Sequence, residues 1–405
     1  MSTDLSNKYE WGDGVFTLLS WFKKEKVKNA RVLVAGAGAL GNEVVKDLAL
    51  FGIGNIYVVD FDQIEMSNLT RSVLFREEDA YAHAYKAEIV AKRAMEINPQ
   101  IKVIPIVGNL FSEVGFGIYR SVDVVIGCLD SHLARYLLNR MCMRAGKIWI
   151  DGSIENLTGA VRVFAPGISC YECELSREAF NNIMLRTGCA DVVRTQTKAG
   201  RVATTPISAS IIGAMQVQEA MKIIHRDDSA DKISFRTLEG RMLHYEGVTN
   251  AMNIYKRSSW KKSCTAHEYW ENVIECPSLS ADLSVEETLS ELRRLLHVDS
   301  VEINMRNNKF VDVIETDRTN QEFKVMMSDS QLEAYISRNP ELRKLSYRNR
   351  FFKSAYENID AGFPYQELPL KQIGIPSFDV IQITTEKGVH YVELTADKHL
   401  FIPVL

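Results

Sequence analysis

The sequence predicts a doubly wound α/β fold, a mostly parallel sheet with helices on both faces, followed by a smaller α+β domain. Three observations carry this expectation. Residues 31–60 read as strand, glycine turn, helix and strand; apolar runs and helix-period segments go on alternating as far as Ile150; and the character of the chain changes beyond Pro277.

Val32, Leu33 and Val34 form an apolar run that ends in Gly36-Ala37-Gly38-Ala39-Leu40-Gly41. Gly36, Gly38 and Gly41 have the G-x-G-x-x-G spacing of a nucleotide-binding turn. Leu40, Val44, Val45 and Leu48 then recur at helical spacing, so the helix opens with its N-terminal amides and dipole over the glycines, where phosphate is the natural guest. A second strand, residues 56–59, ends at Asp60, about 20 residues on, where an acidic residue usually meets ribose hydroxyls. Alone, the motif also suits a nicotinamide dehydrogenase, or merely close packing of helix on strand.

Before this unit, residues 15–22 are amphipathic and Lys23, Lys24, Lys26 and Lys28 make a solvated face. After it, a helix over 84–97 stops at Asn98-Pro99, 101–107 reads as a third strand, and 123–127 as a fourth that runs into Cys128-Leu129-Asp130. Residues 131–145 have a helical period, and 148–150 a strand. The most apolar helix candidate is 206–224, with Thr204 and Thr205 as caps and Pro206 in the first turn. Gln216, Gln218, Glu219 and Lys222 interrupt it, which makes it a core helix and not a membrane span. Residues 229–255 read as strands and a turn, and 260–275 as a basic, then aromatic, connector. In the tail, 285–296 reads as a short amphipathic helix, and 300–304, 310–314, 322–326, 378–384 and 389–394 as strands. The expected division is an N-terminal helical segment (1–30), a nucleotide-binding domain (31–277) and a C-terminal domain (278–405).

With 46% hydrophobic and 25% charged residues in 405, the composition is that of a globular chain of two or three domains. A net charge of −4 argues against nonspecific nucleic-acid binding. No apolar run is long enough to span a bilayer and no signal-peptide order is visible, so a cytoplasmic protein without a membrane partner is expected. Seven cysteines are an odd number, which favours metal or thiol chemistry over a disulfide framework. Cys128 and Cys142 sit in apolar surroundings and read as core, and Cys276 as a linker residue.

The residues that suggest chemistry follow Asp60 and Asp62. Ser67-Asn68-Leu69-Thr70-Arg71 and then Lys86 lie beside the proposed phosphate site. A dehydrogenase has little use for these cations, whereas reaction at the phosphates of ATP needs fixed positive charge where negative charge develops. Asp130, at the carboxyl end of the fourth strand, is placed to hold Mg²⁺. Taken singly, each also suits a surface ion pair. Cys170-Tyr171-Glu172-Cys173 and Cys264-Thr265-Ala266-His267 have the spacing that puts two ligands on adjacent corners of a zinc tetrahedron, a redox pair or chance being the alternatives. Cys189 stands in a polar, glycine-containing stretch between Arg186 and Arg194, which favour the thiolate; it is a nucleophile candidate, or a loop cysteine without a role.

Together these motifs resemble the ubiquitin-activating enzymes and their small relatives that adenylate sulfur-carrier proteins. The match runs from about Arg31 to His267, through GAGALGNEVVKDLAL, VVDFDQIEMSNLTRSVLF, INP, DGSIENLTGAVRVFAPGISCYECEL, GCA and TTPISASIIGAMQVQEAMK in order. The resemblance implies Asp60 on the ATP ribose, Asn68, Arg71 and Lys86 on the phosphates, Asp130 on Mg²⁺, Cys170 and Cys173 in a zinc pair, and Cys189 as the thioester-forming cysteine. The tail more faintly resembles the ubiquitin-fold domain that recruits a conjugating enzyme, on Leu370-Lys371-Gln372-Ile373-Gly374-Ile375 and 378–394. The single-chain architecture looks like the activating enzymes of bacterial ubiquitination-like systems. The implied function is adenylation of a ubiquitin-like protein, thioester formation on Cys189 and transfer to a conjugating enzyme, by a homodimer. Its rivals are a sulfur-carrier adenylyltransferase without the thioester step and an idle scaffold half of a heterodimer. Three departures from the family stand out. The first arginine is Arg31, so either Lys23 or Lys24 replaces the N-terminal arginine that small relatives bring to ATP or the contact is missing; the second metal pair ends in His267 instead of cysteine; and the terminal Ile402-Pro403-Val404-Leu405 is no modifier's di-glycine.

Overall fold

The computed structural model describes Trp11 and residues 14–187, 203–226 and 234–402, apart from 307, 318, 347 and 348. The chain forms two compact units, one within 1–108, 121–175 and 202–268, the other within 109–120, 176–201 and 269–405. Among the described residues, no helix is long and apolar enough to cross a membrane.

In chain order α1 (Lys24–Asn29) leads into β1 (Arg31–Ala35), α2 (Ala39–Phe51), β2 (Asn55–Val59), α3 (Glu77–Tyr81), α4 (Lys86–Ile97) and β3 (Lys102–Ile106). Then come α5 (Phe116–Ser121), β4 (Val124–Gly127), α6 (His132–Arg144), β5 (Trp149–Glu155) and β6 (Thr158–Phe164). The first unit continues through α7 (Tyr171–Glu174) and, beyond α8 (Arg177–Thr187) of the second unit, α9 (Pro206–Ile224), β7 (Arg241–Glu246) and β8 (Ala251–Lys256).

These strands make one sheet, in the order β3-β2-β1-β4-β5-β6-β7-β8. The first five are mutually parallel and the last three antiparallel. Val32, Leu33 and Val34 of β1 are fully buried because a central parallel strand is covered on both faces, which is why it reads as a continuous apolar run. On one face Leu40, Val44 and Leu48 of α2 pack in a common core with Val217, Ala220 and Met221 of α9. On the other, Leu138 of α6 and Trp149 stand against Gly127, where a Cβ would sit 3.2–3.3 Å from their side-chain atoms. Of the two expected cap candidates, Thr205 and not Thr204 takes the position, and Ser131 caps α6 without having been expected to. Thr205 accepts from the Ser208 N–H at the start of α9, with Pro206 in its first turn, and Ser131 accepts from Ala134 N–H at the start of α6. The predicted doubly wound sheet is therefore what forms, extended by the β5-β6 hairpin. That hairpin escaped a pattern reading because Asp151, Gly152 and Ser153 interrupt the apolar run.

The second unit contains β9 (Ile274–Cys276), α10 (Val285–Leu296), β10 (Glu302–Asn304), β11 (Phe310–Thr316), β12 (Glu322–Ser328), α11 (Asp329–Arg338), β13 (Arg350–Tyr356), β14 (Asn358–Ile359), β15 (Val380–Thr385) and β16 (Gly388–Leu394). Five strands form a mixed sheet, β14-β10-β15-β16-β9, with β9 parallel to β16. Val285, Leu289 and Leu292 of α10 share a core with Ile303, Ile381, Ile383 and Val392. A Ser284–Glu287 capping box starts this helix. Inserted between β10 and β14 is an antiparallel sheet, β12-β11-β13, with its own small core of Val311, Ile314, Leu332, Ile336 and Leu345. Cys276, expected to be a linker residue, is a buried residue of β9, 2% exposed.

The second unit also takes in residues 109–120, far from the tail in sequence. Asp379, 1% exposed, accepts from the Phe116 N–H at 2.8 Å and pairs with Arg306, and the Gly117 N–H donates to the Phe378 carbonyl at 2.9 Å. Removing a buried acceptor leaves its donors unsatisfied. Asp379→Ala is accordingly expected to destabilise the chain by about 2–4 kcal/mol, seen as an earlier denaturant transition. A midpoint unchanged from wild type would mean that this carboxylate holds nothing together.

Candidate nucleotide and metal sites

The turn between β1 and α2 is built by close contact. Gly36 has φ 100°, its N–H donates to the Val59 carbonyl at 2.9 Å, and a Cβ there would lie 2.5 Å from the Cys128 carbonyl oxygen. A Cβ at Gly41 would lie 2.0 Å from the Gly36 oxygen. Around Gly38, by contrast, a Cβ would meet nothing within 4 Å. Two of the three glycines let backbone meet backbone, and the middle one leaves open the approach to the N-terminus of α2, as phosphate requires.

Charge gathers at this turn. The Asp60 carboxylate accepts from the N–H groups of Ala37 at 2.7 Å and Asp62 at 2.8 Å, which fixes the end of β2 to the glycine turn. Burial raises its pKa, against the opposing pull of Lys86 and these amides. Lys86, at the start of α4, pairs with Asp62 at 2.7 Å, and its side chain is 12% exposed. Burial works against its charge, but Asp60, Asp62 and Asp130 outweigh it and raise its pKa. Lys86 is thus held as a cation.

Asn68 and Arg71 share one turn. Asn68 Oδ1 accepts from the Glu65 N–H at 2.9 Å, which directs its amide nitrogen away from that cap, and Arg71 Nη1 donates to the Ser67 carbonyl at 2.8 Å. Asp130 is exposed at the end of β4. The loop before it is held by Arg135, which donates to the Leu129 and Gly152 carbonyls and to Asp151 at 2.8 Å. Lys23 and Lys24 precede β1, whose five residues span about 16 Å, so within one chain they lie at the opposite end of that strand from the glycine turn. Cys189 lies outside the described residues.

The second cluster is Cys170, Cys173, Cys264 and His267, whose ligand atoms lie within 4.8 Å of one another. The Sγ of Cys170 is 3.8 Å from that of Cys173 and 3.7 Å from that of Cys264, and Cys173 Sγ is 3.4 Å from His267 Nε2. Zinc–sulfur bonds of about 2.3 Å and zinc–nitrogen bonds of about 2.0 Å give tetrahedral edges of about 3.8 and 3.5 Å, so the set fits that ion. Burial, the largest influence, pushes the Cys170 thiol up to about 12 and the Cys264 thiol up, while it lowers the pKa of His267 and keeps the imidazole neutral. A coordinated dication is what converts such thiols to thiolates. Arg140 braces both halves, through Glu172 at 2.9 Å and the Thr265 hydroxyl at 2.9 Å, and Trp260 stacks on His267 at 5.2 Å.

A sequence reading missed the polar groups that hold these sites. Gln216 of α9 is fully buried and donates to the Gly127 carbonyl at 2.9 Å, beside Cys128, whose thiol burial pushes far up. Its signal was present as a polar residue in the most apolar helix. Arg135, Arg140 and Asn42 gave no such signal, because each sits among other polar residues or next to the glycine motif.

Residues 16–266 match the ThiF family. The chain belongs to that family. It is 32% identical over 207 residues to the sulfur carrier protein adenylyltransferase of Thermus thermophilus, covering 50% of this chain and 71% of that one. It is 31% identical over 240 residues to the adenylyltransferase and sulfurtransferase MOCS3 of Anopheles gambiae, covering 59% and 50%, and 35% identical over 157 residues to the SUMO-activating enzyme subunit uba-2 of Caenorhabditis elegans, covering 38% and 27%. The chain spans less than two thirds of the length of the last two relatives.

The four-ligand cluster generates an expected outcome. Metal analysis of purified protein should find one zinc per chain, and His267→Ala should lower both zinc content and the thermal transition, because a closed site adds its binding energy to folding. Full zinc content in that variant would assign the fourth ligand elsewhere.

Proposed function

We propose that this chain uses ATP to adenylate the C-terminal carboxylate of a small carrier protein of the ubiquitin-like or sulfur-carrier class. The observation that carries the reading is Lys86, a cation held by Asp60 and Asp62 beside the open glycine turn of a ThiF-family chain. The nucleotide lies over Gly36, Gly38 and Gly41, its ribose near Asp60. The carrier's carboxylate attacks the α-phosphorus, the bond to the bridging oxygen breaks, and pyrophosphate leaves with the electron pair. Carboxylate and triphosphate repel, so Asn68, Arg71 and Lys86 stabilise charge as it moves to the leaving group. Asp130 would hold Mg²⁺, which supplies further neutralisation of the phosphates when bound.

The sulfur-carrier reading stands first. Two of the three relatives above have adenylyltransferase in their names and one names a sulfur carrier. A second reading, supported by the likeness to the SUMO-activating subunit and by the α+β region beyond residue 278, adds attack of Cys189 on the adenylate and transfer to a conjugating enzyme. Thiolate attack on the mixed anhydride forms a thioester and releases AMP. Homodimer formation belongs to the same proposal.

Carrier-dependent ATP–pyrophosphate exchange tests the first step. Arg71→Ala and Lys86→Ala are expected to lower its rate about 100-fold or more with the fold intact. Near-wild-type exchange in both would remove the proposed chemistry. The two readings separate at Cys189: both retain exchange in Cys189→Ala, but only the second loses a thiol-sensitive adduct that wild type forms. A wild type with brisk exchange and no such adduct would leave the adenylyltransferase reading alone.

A further inference from the structure

Asn42, in the first turn of α2, is fully buried. Its amide nitrogen donates to the carbonyls of Ala37 at 2.9 Å and Gly38 at 3.0 Å, both within the glycine turn. Its Oδ1 accepts from the Leu74 N–H at 2.9 Å. One side chain therefore joins the turn to the segment that carries Asn68 and Arg71. Backbone bonds tie the residues before that segment to the start of α4, the Ile64 N–H donating to the Ala84 carbonyl and the Lys86 N–H to the Asp62 carbonyl, both at 2.9 Å, while apolar burial holds its far end. Leu74 is 5% and Phe75 is 4% exposed, and both belong to the main core. Apolar burial is non-directional and holds a segment down without fixing its register, whereas hydrogen bonds impose both distance and angle. Among the described residues Arg71 is tethered within the segment, by its bond to the Ser67 carbonyl, so the register of 67–74 against the turn sets where its guanidinium stands.

We infer that Asn42 is a positioning residue that sets the Arg71 segment against the glycine turn, and so governs affinity for the phosphate chain of the nucleotide and not for its adenosine. The inference rests on the nucleotide reading above. A residue that merely stabilised α2 would change binding of both parts of the ligand alike.

The test is titration calorimetry of the full chain with ATP and with adenosine, on wild type, Asn42→Ala, Arg71→Ala and the double variant. Asn42→Ala is expected to lose about tenfold in affinity for ATP and less than about twofold for adenosine. The double variant should bind ATP no more weakly than Arg71→Ala, because a residue that acts through another adds nothing once that partner is gone. If Asn42→Ala does not fold, Asn42→Ser, whose hydroxyl can still donate to one turn carbonyl, serves the same comparison. Equal losses for ATP and adenosine, or losses that add in the double variant, would overturn the inference. A wild type that binds no ATP would instead remove the proposed function, and this inference with it.

Discussion

The close approach of the β1–α2 turn to the end of β4 is the contact on which the rest of the nucleotide edge depends. With a Cβ at Gly36 only 2.5 Å from the Cys128 oxygen and one at Gly41 2.0 Å from the Gly36 oxygen, any side chain would force the turn away from the strand ends. The groups arranged around it are placed by reference to that backbone. Asp60 binds the Ala37 N–H, Asn42 binds the Ala37 and Gly38 carbonyls, and Gln216 binds the Gly127 carbonyl just before Cys128. The turn is thus an origin from which carboxylate, amide and helix positions are set by hydrogen bonds of 2.7 to 3.0 Å.

Electrostatics follows from that geometry. A lone buried ammonium would shed its proton, and a lone buried carboxylate would take one up. Lys86 keeps its charge because two aspartates follow β2 at the same edge and Asp130, beyond the end of β4 two strands away, adds its field. Burying these charges together costs desolvation, and perturbed groups of this kind gather at functional sites. That makes it a stronger functional indicator than the glycine spacing, which packing alone can require.

How much of this was legible in the sequence depended on the range of the interaction. Local signals read correctly: the apolar run of β1, the Thr205 cap with Pro206 after it, and the two Cys/His spacings that the fold brings into one cluster. The doubly wound order followed from alternation. Long-range hydrogen bonding was not legible. Nothing in the letters around Asn42 reports that its amide meets Leu74, because the contact is made by folding 32 residues back on the turn. Asp151 read as an end to a strand because an isolated carboxylate does not belong in a core. Arg135 and Arg162 pair with it there, so the strand continues. Likewise, Asp379 reaches back to Phe116 across 263 residues, and no window of sequence shows that residues 109–120 pack with the tail.

The metal cluster and the nucleotide edge are joined through one helix. The N-terminal end of α6 follows Asp130, and Arg135, Asn139 and Arg140 lie along it. Arg135 holds the Leu129 carbonyl, Asn139 accepts from the Tyr171 N–H at 3.0 Å, and Arg140 grips Glu172 and Thr265. At its start, His132 shares a hydrogen bond of 2.7 Å with the Tyr171 hydroxyl. Each of these partners lies in or beside one of the two ligand pairs or the loop that ends in Asp130. Closing the four-ligand site with a metal would therefore do more than tie the 264–267 segment to the sheet. A metal there would brace the surface against which α6 rests, and with it the loop that ends in Asp130.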